Sequence, residues 1–131
     1  MPATTPQLIH TCYRIFEIER SVAFYELLGF EELKRMPIGD EAINVFMGLP
    51  GDGPRLELTY NIGQTEPYEI GSGYGHIALS VADIDQTLAT LAASNIQPER
   101  PPYQIREGGS RLCFVRDPDG YRIELIQKSV A

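Results

Sequence analysis

The chain has only two histidines, His10 and His76, and each is followed at almost the same distance by a glutamate set among apolar residues. Glu57 lies 47 positions after His10, and Glu124 lies 48 positions after His76. The two glutamates also share their local sequence, Arg55-Leu56-Glu57-Leu58 and Arg122-Ile123-Glu124-Leu125. A carboxylate in an apolar strand is costly to desolvate without a partner, so both glutamates need one. A shared cation would serve. Two neutral imidazoles and two carboxylates form a nitrogen and oxygen donor set that balances a divalent ion, with water available to complete an octahedron. One His or Glu near a strand end is more often an ordinary surface or core residue; it is the duplication at matched offsets that points to a metal. The donor chemistry alone accepts any first-row divalent ion. Cys12 and Cys113 form no CxxC pair, which leaves a thiolate metal site and a disulfide framework unsupported, and both thiols are expected reduced and partly buried.

Alternation along strands adds neighbours to this set, because residues two apart face the same side. His10 then shares a face with Cys12 and Arg14, and Glu57 shares one with Thr59 and Asn61. Arg14 and Asn61 make a donor pair suited to an anionic, amide-bearing substrate.

The elements that must position these residues form two similar halves. In the first, Leu8 to Ile15 reads as a strand and Glu19 to Leu28 as a helix closed by Gly29. Strands follow over Glu32 to Met36, Ala42 to Met47 and Arg55 to Tyr60. The second begins with a strand over Tyr74 to Val81 and a helix capped by Asp83 that ends near Ser94 and Asn95. Arg111 to Arg116 and Tyr121 to Gln127 flank the turn Asp117-Pro118-Asp119-Gly120. The segment from Ile62 to Gly73 reads as the link between the halves.

With 131 residues, of which 43% are apolar, the chain is expected to form one domain over residues 1–131, made of two modules at about 7–61 and 74–128. A net charge of −7, spread rather than clustered, disfavours nucleic acid and anionic membranes as partners. The absence of a long apolar stretch and of a secretory layout at the start predicts a cytoplasmic protein.

The sequence resembles glyoxalase I, lactoylglutathione lyase, of the vicinal oxygen chelate superfamily. Ile9-His10-Thr11 with Arg14, Leu56-Glu57-Leu58-Thr59-Tyr60-Asn61, Tyr74-Gly75-His76-Ile77-Ala78 and Ile123-Glu124-Leu125 carry the likeness. It implies an α+β fold of two tandem βαβββ modules, their curved mixed sheets around a metal cleft, with His10, Glu57, His76 and Glu124 as ligands. It also implies a homodimer with sites at the interface, although a site within one chain fits the sequence equally well. Nickel or cobalt is the metal it favours, with zinc as the alternative. The implied reaction converts the hemithioacetal of methylglyoxal and glutathione into S-lactoylglutathione through an ene-diolate. Glu124 is the implied base, Glu57 serves the opposite enantiomer, and Arg14, Asn61 and Arg106 contact the thiol. Within the superfamily the alternatives are a methylmalonyl-CoA epimerase-like isomerase, expected to carry Gln at position 57, an extradiol dioxygenase, and a metal-free binding or resistance protein.

Overall fold

The computed structural model of the chain describes residues 5–128. They form two compact units that divide between Tyr68 and Glu69.

In the first unit, β1 (Thr11–Ile15) leads into α1 (Ile18–Leu27), followed by β2 (Glu31–Ile38), β3 (Ala42–Gly48) and β4 (Leu56–Asn61). The sheet order is β1-β4-β3-β2, with β1 parallel to β4 and the other pairs antiparallel. Alternation decides the two faces. Tyr13, Ile15, Val45, Met47, Leu56 and Leu58 are buried together with Val22, Phe24 and Tyr25 of α1. Fully burying side chains of this size stabilises the fold by roughly 1.5–3 kcal/mol each. The residues between them, Cys12, Arg14, Asn44, Phe46, Glu57 and Thr59, belong to the opposite, more open face.

The second unit repeats the plan with β5 (His76–Val81), α2 (Ile84–Ala92), β6 (Leu112–Arg116) and β7 (Arg122–Gln127). Its sheet order is β5-β7-β6, with β5 parallel to β7 and β6 antiparallel to it. Val115, Ile123 and Leu125 are buried, as are Ile84 and Leu91 of α2. Where the first unit has a fourth strand, the described residues of this one have a bridge between Tyr103 and Leu112.

Both helices stop in the same way. The amide of Phe30 donates to the carbonyl of Tyr25 and that of Ile96 to Leu91, each closing over a residue in the left-handed region, Gly29 at φ 102° and Asn95 at φ 62°. Asp83 caps α2, accepting from the Gln86 amide at 3.1 Å.

Candidate metal-ligand pairs

Register places one His beside one Glu in each unit. His10 lies immediately before β1, next to the point where Thr11 pairs with Leu56 and Cys12 with Glu57. The His10 Nε2 is 3.8 Å from the Glu57 Oε2. In the second unit His76 opens β5, Ala78 pairs with Glu124, and the His76 Nε2 is 3.0 Å from the Glu124 Oε1. The imidazoles are 31% and 34% exposed and the carboxylates 16% and 14%, so both pairs remain open to a ligand.

A phenylalanine stands behind each pair. Phe46 pairs with Glu57 across β3 and β4, and its ring meets the His10 ring edge-on with centroids 5.7 Å apart. Phe114 pairs with Glu124 across β6 and β7, and its ring meets that of His76 in the same way at 4.9 Å. Edge-to-face packing restricts ring orientation. These two residues went unnoticed in the sequence, although a signal existed: Phe46 precedes Glu57 by eleven residues and Phe114 precedes Glu124 by ten.

The donors fit a divalent ion in kind and in spacing. With bonds of about 2.1 Å, adjacent ligands on one ion lie about 3–3.4 Å apart; the second pair stands at this separation and the first is wider by a few tenths of an ångström. Among the described residues, no three His, Cys, Asp or Glu side chains gather as a cluster, so each unit offers two donors.

The sequence profile of the Glyoxalase/Bleomycin resistance protein/Dioxygenase superfamily matches residues 7–125. The probable lactoylglutathione lyase of Synechocystis sp. is 38% identical, over 93% of this chain and 95% of its own length. The chain belongs to the glyoxalase I family. The lactoylglutathione lyase of Arabidopsis thaliana is 37% identical over 93% of this chain, and the chain spans only 44% of that relative. The crystal structure of glyoxalase I from Zea mays superposes with a TM-score of 0.85 at 29% identity, covering 95% of this chain and 46% of that one.

Of the other contacts expected in this glyoxalase I family member, Arg14 and Asn61 lie in the first unit and Arg106 in the second. Arg14 is exposed on β1, two residues beyond Cys12. The Asn61 amide donates to the Tyr68 hydroxyl at 2.8 Å. Arg106 is exposed and borders a cavity of about 250 Å³ together with Ile105, Gly109, Ser110 and Leu112. A larger cavity of about 630 Å³ has His10 on its wall, with Leu8, Ile9, Pro54 and Arg55.

The thiols do not match each other as expected. Cys113 is fully buried, and burial pushes its pKa up to about 11, whereas Cys12 is exposed on the same face as the first pair. Cys12 is also raised, by desolvation first, with the neighbouring Glu57 adding to the shift. Asn44 was another residue not singled out, yet its side chain donates to the Glu57 Oε2 at 3.3 Å.

In the second unit a brace of charges surrounds the pair. The Arg122 guanidinium lies 3.9 Å above the Phe114 ring and forms a two-pronged bond with Glu99 at 2.8 and 3.0 Å. Arg116 reaches the same carboxylate at 2.9 Å. Arg122 leads in holding Glu99 below the usual carboxylate range, and Arg116 contributes. This arrangement fixes the ring against which His76 rests.

Proposed function

We propose that the protein isomerises the hemithioacetal of methylglyoxal and glutathione to S-lactoylglutathione, on one divalent ion held by His10, Glu57, His76 and Glu124. The observation that supports this most is the duplicated His–Glu pair, present in a chain 38% identical to a probable lactoylglutathione lyase along nearly its whole length. Nickel or cobalt is the favoured ion.

When bound, the ion supplies Lewis-acid stabilisation of the negative charge that develops on the two substrate oxygens as the C–H bond breaks. The remaining work falls to the chain. Glu124 takes the proton from one carbon and returns it to its neighbour, and Glu57 stands on the opposite side for the other enantiomer. His10 and His76 hold their rings edge-on to Phe46 and Phe114. Arg14, Asn61 and Arg106 are assigned to the thiol.

The faces that carry the pairs are open in a single copy: Cys12, Arg14, Ala78 and Ser80 are all exposed. We assign these faces to a homodimer in which each ion takes one pair from each copy, an arrangement compatible with two-fold symmetry. The free thiols suit a reducing, cytoplasmic setting.

The experiment is a thioester assay with methylglyoxal preincubated with glutathione, using metal-free protein restored with nickel, cobalt or zinc. Thioester is expected to form, with nickel or cobalt above zinc. No thioester with any of the three metals rejects the assignment. Product with another low-molecular-weight thiol alone moves the substrate and keeps the chemistry.

A further inference from the structure

The two units carry the same His, Phe and Glu but different neighbours on the same face. Register allows a comparison position by position. Cys12 and Ala78 pair with the two glutamates. Asn44 pairs with Thr59, and Leu112 pairs with Ile126. Three polar side chains of the first unit, Cys12, Asn44 and Thr59, therefore correspond to Ala78, Leu112 and Ile126 in the second.

In the first unit those three form one chain of hydrogen bonds ending on Glu57. The Cys12 Sγ lies 3.3 Å from the Thr59 Oγ1, which lies 2.8 Å from the Asn44 Oδ1; the Asn44 Nδ2 is 3.3 Å from the Glu57 Oε2. The direction of the chain follows from the groups themselves. An ionised carboxylate only accepts, so the amide N–H must face Glu57. That turns the amide oxygen to Thr59, whose hydroxyl must donate to it. The Thr59 lone pairs are left for the Cys12 thiol. Ala78, Leu112 and Ile126 have no side-chain donor, so Glu124 receives nothing comparable from these positions.

We propose that Asn44, oriented by Thr59, is a positioning residue that holds the Glu57 carboxylate in one orientation for its ligand role, a restraint without a counterpart at the matching positions around Glu124, which contacts His76 at 3.0 Å instead. The effect on metal binding rests on the ligand role assigned to Glu57 above; the restraint on Glu57 does not. Partners of this kind around metal ligands alter affinity or activity by about 10–100-fold when removed.

Two readouts on the full chain test the proposal. In metal-free protein, side-chain couplings measured by NMR are expected to show one Glu57 rotamer in the wild type and averaging in Asn44→Leu. Thr59→Val is expected to average it partly, Thr59→Ser to restore it, and Cys12→Ala, at the far end of the chain, to leave it unchanged. Cobalt affinity measured by titration is expected to fall about 10-fold in Asn44→Leu.

Averaged Glu57 couplings in the wild type, or unchanged cobalt affinity in Asn44→Leu, overturn the proposal. Should Asn44→Leu fail to fold, Thr59→Val decides, since it keeps the side-chain shape and removes only the hydroxyl. If the wild type binds no cobalt but shows a single Glu57 rotamer that depends on Asn44, the isomerase assignment fails and the positioning role stands.

Discussion

At the scale of single residues, chemistry and support divide between two kinds of position. His10, His76, Glu57 and Glu124 were legible because they are rare or out of place: the only histidines, and carboxylates within apolar runs. Phe46, Phe114 and Asn44 were not, since a Phe or an Asn in a strand breaks no pattern; their meaning depends on cross-strand register. The assigned roles of the glutamates lead to a clear expectation. Glu124→Gln keeps a donor oxygen but removes the base, so turnover should fall about 10²–10⁴-fold while bound metal stays near the wild-type level. Steady-state rates set beside metal content by mass spectrometry check this. Metal lost in step with turnover would reassign Glu124 to a purely ligating role.

At the scale of elements, the order of strands and helices followed from alternation, caps and turns, and the differences have local causes. The first strand was expected from Leu8 but begins at Thr11. Its partner β4 begins at Leu56, soon after Pro54, which has no N–H to donate. Leu8 and Ile9 are left 82% and 67% exposed, and His10 sits where pairing starts. The second unit's missing strand has a related origin. The amides of Glu99 and Tyr103 bond to Phe114 and Leu112, but Pro101 and Pro102 lie between them and interrupt the ladder. The turn at Asp117 behaved as expected, its carboxylate accepting from the amides of Asp119 and Tyr121 at 2.9 Å. Gly48, the last residue of β3, supports a further prediction. A Cβ there would stand 1.9 Å from the Gly53 carbonyl oxygen, in the connection that leads to β4 and Glu57. Gly48→Ala should destabilise the chain by about 1–3 kcal/mol, read from urea unfolding. An unchanged midpoint would show that this connection yields without cost.

At the scale of the whole molecule, the dominant fact is duplication: each unit presents a parallel strand pair that sets a His beside a Glu, with a Phe from the adjoining strand behind them. The plan was legible in spacing alone because a repeated fold repeats its offsets. The differences between the copies were not, because they lie in which side chains meet across strands. Two donors in each unit are too few for a tight site, and four suffice; the account therefore requires that both pairs serve the same ion. Nickel content of the wild type, His10→Ala and His76→Ala after equilibrium dialysis tests that most directly. One ion per chain in the wild type and near none in either variant is the expected result. Two ions per chain in the wild type, or a variant that keeps its ion when one pair is broken, would mean that the pairs act separately and would contradict the account.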